Sequence, residues 1–333
     1  MDFGNFLKTI YREKTEKRTL FELFLNQPLY EKLAQRSMPD EDKLISLEKL
    51  KFLVDAFENA GYDYATAYAC DYRFENDNHS TGRTISLNEG AVIADRASFN
   101  RYPWKNMDES TFSCLDEIAD YLPGNMKLNI MGPGGILENA IMLVGFDNLC
   151  YMLFDDELLV ADICDAVGTR LLDYYDIAAK YESVGVLTVN DDWGFRTQTF
   201  FSGDVMRKYI FPWYRKIVET IHKQGKPVIL HSCGNLADVM DDIIDDMRFD
   251  AKHSFEDTII KIEDAYHLWG DRICLLGGID VDFLIKKPVA EIEERCKALL
   301  SATSIKGGYM LGSGNSIPDY VPDEKFFAMI NCI

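Results

Sequence analysis

The sequence has no uncharged apolar run near the roughly 18 to 20 residues that a membrane-spanning helix needs. Positive charge is scarce, because 35 Lys and Arg residues face 55 Asp and Glu residues and leave a formal net charge of -20. This charge opposes binding to nucleic acid and to anionic membrane surfaces. The first residues lack the basic, apolar and small-residue order of a secretory signal. We therefore expect a cytoplasmic protein that binds neither nucleic acid nor membrane.

Paired cysteine spacings are also missing. The eight cysteines are scattered over 333 residues, which suits buried thiols in a reducing cytosol better than a disulfide framework. The sequence contains no Gly-x-Ser-x-Gly elbow, kinase signature or His-Glu-x-x-His motif. The reaction classes that depend on those motifs lose support.

Short apolar runs alternate with longer amphipathic stretches from residue 61 onward, which is typical of a parallel sheet with crossover helices. Eight runs are predicted strands: 62–69, 91–94, 127–131, 184–189, 227–231, 249–253, 273–277 and 307–311. Eight such units predict an α/β fold, a (β/α)8 TIM barrel, over 61–333. Residues 1–60 show helical patterns and are predicted to form an N-terminal helical extension that caps the barrel.

Polar residues follow several predicted strands at the point where each strand ends. In a TIM barrel the active site lies at these ends. The candidates are Asp191, Asp192, His231, Cys233, His253, Glu256, Asp280 and Asn315.

The His231-x-Cys233 pair is the sharpest of these features. Residues i and i+2 of an extended segment point to the same side, so imidazole and thiolate can meet one ion. This soft donor pair favours zinc over magnesium or calcium. The alternative is a buried histidine that bonds to the backbone beside a buried thiol.

The carboxylates after the strands have two interpretations. Asp191, Asp192, Glu256 and Asp280 suit metal ligation, general base catalysis or the holding of a cationic or hydroxylated substrate. Each of them can instead cap the helix that follows its strand. His253 is a candidate ligand or base, or a core histidine.

A glycine-rich turn follows the predicted strand 127–131. Gly134 and Gly135 would allow a ligand to approach the backbone closely, although a tight turn is the slightly favoured explanation. We assign these two glycines, together with Asn315, to cofactor binding.

The stretch from residue 190 to residue 235 carries a resemblance. It reads NDDWGFRTQTFFSGDVMRKYIFPWYRKIVETIHKQGKPVILHSCGN and resembles the uroporphyrinogen decarboxylase superfamily. It is most similar to the cobamide-dependent methyltransferase branch, and the later LLGGIDVDFL and GGYMLGSGNSIPDYVPDEKFFAMI extend the match to the end of the chain. The resemblance implies a TIM barrel with its site at the carboxyl ends of the strands.

The zinc enzymes of that branch bind zinc with the histidine and cysteine of a His-x-Cys motif and with a later cysteine. The resemblance therefore implies that His231 and Cys233 bind zinc in this chain. This chain has Asn315 at the corresponding turn, and asparagine is a poor zinc ligand. We therefore predict that Glu256 replaces the cysteine, with His253 second and Asp280 third in order of preference.

The function implied is zinc-dependent methyl transfer between a small donor and the cobalt of a separate corrinoid protein. The sequence does not distinguish between a methyl ether, a methylamine, a methylthiol and a betaine as the methyl donor. We expect Asp191, Asp192, His253 and Asp280 to line the pocket.

Two alternatives stay open at this point, a decarboxylase of an anionic tetrapyrrole and a non-catalytic barrel that binds a small molecule. The decarboxylase is the weaker, because the loop after the first strand has one arginine, Arg73, where several would be needed. The oligomeric state, monomer or homodimer, is open as well.

Overall fold

Among the residues that the structure describes, the fold is built on a parallel sheet of seven strands, whose order in the sheet follows the order in the chain. The computed structural model describes residues 1–40, 43–76, 87–304 and 306–333. The strands are β1 (Tyr64–Tyr68), β2 (Lys127–Met131), β3 (Val184–Asn190), β4 (Val228–His231), β5 (Ala251–His253), β6 (Cys274–Leu276) and β7 (Tyr309–Met310). Almost all strand residues are buried, so the sheet forms the centre of the core.

Helices connect the strands, as parallel pairing requires. In the described residues the α-helices are α1 (Phe3–Ile10), α2 (Gln27–Ala34), α3 (Leu47–Asn59), α4 (Arg96–Arg101), α5 (Cys114–Glu117), α6 (Ile136–Val144), α7 (Phe146–Asp155), α8 (Glu157–Ala178), α9 (Gly203–Tyr209), α10 (Phe211–Lys223), α11 (Ile262–Trp269), α12 (Val281–Lys286), α13 (Val289–Ala302) and α14 (Asp323–Ile330). Short 3-10 turns lie at Glu109–Phe112, Ala119–Tyr121 and Ala237–Val239, and a π-helical turn lies at Asp242–Asp246.

The parallel α/β architecture agrees with the sequence prediction, but the closed eight-stranded barrel does not. Seven of the eight predicted strands are present, and the prediction of a strand at 91–94 is wrong. In that segment Ile93 alone is buried. The backbone N–H groups of Val92 and Ile93 both donate to the carbonyl of Leu143, at the end of α6, rather than to a neighbouring strand. The segment is a loop that packs against a helix.

An extended segment that precedes β1 lies beside β7 instead. Leu20 forms a parallel bridge with Leu311, and the hydroxyl of Tyr64 in β1 donates to the carbonyl of Glu22 at 2.7 Å. The segment therefore lies between the two edge strands of the sheet. It carries the fully buried carboxylate of Glu22 into the interior.

The predicted helical region before residue 61 contains α1, α2 and α3, with this extended segment between the first two. Asn26 and Ser46 cap α2 and α3, since their side chains accept from backbone N–H groups one turn later. Among the described residues no single helix is long and apolar enough to cross a bilayer, whereas α6 and α7, bent by 95°, meet that length and composition together.

Candidate functional site

The carboxyl ends of β3, β4 and β5 bring the predicted site residues to one edge of the sheet. Asn190 is in register with His231, and His231 is in register with His253. Because the strands are parallel, the residues that follow them emerge side by side at this edge.

Three side chains meet there in a cluster formed by Asp192, His231 and Cys233. One ligand atom from each lies within 4.8 Å of the others. His231 Nε2 is 4.0 Å from Cys233 Sγ, and Asp192 Oδ1 accepts from the backbone N–H of Cys233 at 2.8 Å. The i, i+2 spacing therefore brings imidazole and thiol together, and Asp192 adds a carboxylate that also holds the cysteine loop in place.

The donor chemistry of this cluster fits a metal ion of the zinc class. Zinc–nitrogen and zinc–sulfur bonds of about 2.0–2.3 Å place two tetrahedral ligands roughly 3.5 Å apart, close to the observed spacing of histidine and cysteine. Burial lowers the pKa of His231 to about 4, so its imidazole is neutral, as a ligand must be. Burial and the neighbouring Asp192 raise the pKa of Cys233, and a cation at this point would stabilise the thiolate.

Asn315 is next to this cluster but contacts the sulfur as a hydrogen-bond donor. Its Nδ2 donates to Cys233 Sγ at 3.4 Å, and the thiol lies 3.8 Å from Ser254 Oγ. The turn after β7 therefore reaches the cysteine, although its side chain is an amide and not a thiol.

Glu256, the predicted third ligand, does not belong to the three-residue cluster. It is half-buried. Its pKa is raised, mainly by burial and then by the nearby negative charges of Asp280 and Asp192. It lines a cleft of about 620 Å³ together with Asp280 and Asn315. The structure thus places Asp192, rather than Glu256, beside His231 and Cys233, and it puts Glu256 in the wall of a cleft that Asn315 also lines.

Asp191 does not line the pocket, contrary to the prediction. Its carboxylate is fully buried and accepts from the backbone N–H groups of Leu137 and Glu138, at 3.0 and 2.8 Å, at the start of α6. It also accepts from Trp193 Nε1 at 2.8 Å and from the hydroxyl of Tyr214 at 2.5 Å. Four donors surround it, so Asp191 is a helix-capping residue of the core.

His253 also lies outside the pocket that it was predicted to line. Its ring is fully buried behind His231, with the two Nδ1 atoms 2.8 Å apart. On the other side its Nε2 is 3.2 Å from the carbonyl oxygen of Ser313. His253 therefore contacts the candidate ligand rather than the cleft.

Asp280 caps a helix, which is one of the two interpretations that the sequence left open, and it also lies in the wall of the cleft. It caps α12, because Oδ1 accepts from the backbone N–H groups of Asp282 at 2.8 Å and of Phe283 at 3.3 Å, and it lines the cleft.

Gly134 and Gly135, which were assigned to cofactor binding, have packing roles here. Gly134 has a φ of +79°, and a Cβ on Gly135 would stand 2.0 Å from the Asp191 Cβ.

Three ionisable residues near this edge, two buried and one half-buried, were missed from the sequence. Burial and the nearby Asp191 and Asp192 raise the pKa of Glu138 to about 8. Burial lowers the pKa of Lys252 to about 8, and its ammonium donates to the carbonyl of Ser254 at 2.6 Å. Glu22 is the third. The position of Lys252 within a predicted strand was a usable signal, whereas nothing local marked either glutamate.

Comparisons with known proteins support the family resemblance. The family model for uroporphyrinogen decarboxylase (URO-D) matches residues 93–333. The chain is 21% identical over 188 residues to a uroporphyrinogen decarboxylase of Geobacter sulfurreducens, covering 56% of this chain and 52% of that protein. A uroporphyrinogen decarboxylase of Geotalea uraniireducens is 22% identical over 217 residues, with coverages of 59% and 61%. The chain thus spans about half the length of these curated relatives.

Solved structures support the fold. A methyltransferase from Methanosarcina mazei superposes with a TM-score of 0.70 at 17% identity, covering 98% of this chain and 96% of that one. A putative vitamin-B12 independent methionine synthase from Listeria monocytogenes gives a TM-score of 0.52 at 11% identity, with coverages of 95% and 97%. Both likenesses extend over nearly the whole length of the chains compared.

Proposed function

The chain belongs to the uroporphyrinogen decarboxylase (URO-D) family, and from that premise we propose that it is a zinc-dependent methyltransferase. It would move a methyl group between a small donor and the cobalt of a separate corrinoid protein. The observation that carries the proposal is the cluster of Asp192, His231 and Cys233 at the carboxyl edge of the sheet. The likeness of the fold to a methyltransferase agrees with it.

Each residue of the cluster has a separate task in this proposal. Asp192, His231 and Cys233 would hold the zinc, which when bound supplies a Lewis acid that polarises the heteroatom carrying the methyl group. Asp192 also fixes the Cys233 backbone, and Asn315 fixes its sulfur. The adjoining cleft, with Glu256 in its wall, is large enough for a small methyl donor and lies open to a protein that brings the cobalt.

The charges at the site weigh against the rival decarboxylase. Carboxylates dominate the edge, namely those of Asp192, Glu256 and Asp280. The buried ammonium of Lys252 donates to the backbone carbonyls of Ser232, after β4, and Ser254, after β5. A tetrapyrrole with many carboxylates would meet like charge here and would need arginine partners to offset it.

Metal analysis of protein purified without added metal tests the proposal. We expect about one zinc per wild-type chain and a loss of that zinc in Cys233→Ala and Asp192→Asn. Glu256→Gln should retain it, because Glu256 lies in the cleft wall. Cys150→Ala is the matched control, since Cys150 is also a half-buried free thiol.

A second measurement follows methyl transfer to free cob(I)alamin by the loss of the cob(I)alamin absorption, with methylamine, betaine, methylthiol and methyl ether donors. Zinc binding with turnover of one donor supports the enzyme. Protein that takes up no metal even when zinc is offered would overturn the proposal in favour of a decarboxylase or a non-catalytic barrel. Loss of zinc from Glu256→Gln but not from Asp192→Asn would return Glu256 to the ligand set.

A further inference from the structure

Two buried histidines lie in series behind the candidate metal centre. His231 and His253 face each other through their Nδ1 atoms at 2.8 Å, and His253 Nε2 lies 3.2 Å from the Ser313 carbonyl oxygen. His231 Nε2 points the other way and lies 4.0 Å from Cys233 Sγ. The two rings therefore form a chain from a backbone carbonyl to the cluster.

The direction of each hydrogen bond in this chain follows from its fixed end. A carbonyl oxygen can only accept, so His253 must carry its proton on Nε2. A neutral imidazole has one N–H, and charged rings are disfavoured in a fully buried pair, so Nδ1 of His253 is an acceptor. His231 must then donate from Nδ1, which leaves the lone pair on its Nε2.

We infer that His253 is a positioning residue that fixes the tautomer of His231, so that the Nε2 lone pair of His231 faces Asp192 and Cys233. A metal ligand needs that lone pair, and the other nitrogen of a ligating histidine is commonly held by a hydrogen-bond partner. His253 itself is a poor ligand, because both of its nitrogens are engaged and its ring is fully buried. This role rests on the proposed metal centre and adds to it a residue that orients one of the metal ligands.

Ser313, whose carbonyl begins this chain, is held by the segment that lies before β1, while the carbonyl itself also accepts from the backbone N–H of Gly278 at 3.1 Å. Glu22 accepts from the Ser313 backbone N–H at 2.5 Å and from its hydroxyl at 2.7 Å. Both residues are fully buried. The extended N-terminal segment therefore holds the residue whose carbonyl begins the histidine chain, although it lies far from β4 and β5 in sequence.

Nitrogen-15 NMR of the histidine rings tests the inference directly. The chain has five histidines, so variants at 231 and 253 assign the two signals. We expect His231 to be protonated on Nδ1 in metal-free wild type. In His253→Leu the acceptor is lost, and we expect a shift of the His231 proton toward Nε2. His253→Asn returns an acceptor oxygen near the Nδ1 position and should restore the Nδ1–H form.

Zinc affinity, measured by competition with a chromophoric chelator, gives the second readout. We expect a 10- to 100-fold loss for His253→Leu and recovery to within a few-fold for His253→Asn. His222→Leu is the control, because His222 bonds to Asp250, away from the cluster.

An Nε2-protonated His231 in the wild type, or a His253→Leu variant with unchanged tautomer and affinity, would overturn the inference. A protein that binds no zinc but shows the expected tautomers would refute the metal centre and leave the hydrogen-bond chain intact. The asparagine variant separates loss of the hydrogen bond from a failure to fold.

Discussion

The substitution Glu22→Gln should make the protein more stable at alkaline pH. Burial raises the pKa of Glu22 from 4.5 to about 8. Between these values the folded protein holds a proton that the unfolded chain releases, so the stability of the wild type falls as the pH rises from 4.5 to 8. Glutamine has no such proton, and its stability should not follow this fall.

The size of the effect follows from the shift in pKa. One unit corresponds to about 1.4 kcal/mol, so a rise from 4.5 to about 8 is worth at most about 5 kcal/mol. Gln keeps the geometry, because its oxygen can accept from the Ser313 backbone and its amide can donate to the Ser313 hydroxyl. That hydroxyl then donates to the carbonyl of Asn315, 2.9 Å away. We expect the variant to gain several kcal/mol over wild type between pH 5 and pH 8.5.

Urea unfolding followed by circular dichroism at half-unit pH steps from 5 to 9 measures this difference. Glu294→Gln, at an exposed glutamate, is the control for the general effect of removing one negative charge. If the free-energy profiles of wild type and Glu22→Gln ran parallel over this range, the argument from a buried, protonated carboxyl would be refuted.

Two further substitutions test the helix-capping network around Asp191. Tyr214→Phe removes a hydroxyl that donates to Asp191 at 2.5 Å and accepts from the Ile136 backbone at 2.8 Å, and we expect a loss of about 1–3 kcal/mol in unfolding free energy. Tyr62→Phe is its control, since the Tyr62 hydroxyl is buried without a partner among the described residues and its removal should cost nothing. Asp191→Asn points an amide N–H at donors and should cost at least as much as Tyr214→Phe, with a lowered melting temperature in calorimetry; an unchanged melting temperature would contradict the capping role.

The alternation of apolar runs and amphipathic stretches was enough to predict the parallel α/β fold, because strand and helix periods are local properties of the sequence. Whether the sheet closes into a barrel, however, depends on contacts between segments far apart in the sequence. Residues 91–94 are apolar enough to resemble a strand, yet Val92 and Ile93 donate to one carbonyl of α6. The segment around Leu20 pairs with β7 through long-range contacts that no pattern in its own residues marks.

The residues of the candidate site also fall into those that local sequence predicts and those that depend on long-range packing. His231 and Cys233 were predictable, because an i, i+2 pair at a strand end must share a side. Glu22 and Ser313 were not, since their meeting depends on packing between segments 291 residues apart. That Asp192, rather than Glu256, lies beside His231 and Cys233 was not predictable either, because it depends on the contact between the Asp192 carboxylate and the backbone of the cysteine loop.

Asp191 and Asp192 show how neighbouring residues of one type acquire different chemistry. At the end of an extended strand successive side chains point to opposite sides, so one carboxylate turns into the core and the other toward the edge. The inner one accepts from two backbone N–H groups at the start of α6 and from the side chains of Trp193 and Tyr214, so it caps the helix. The outer one accepts from the Cys233 backbone through Oδ1 and lies beside His231 and Cys233. Exchange of the two roles would need a shift of one residue in the register of β3, which the pairing of Asn190 with His231 prevents.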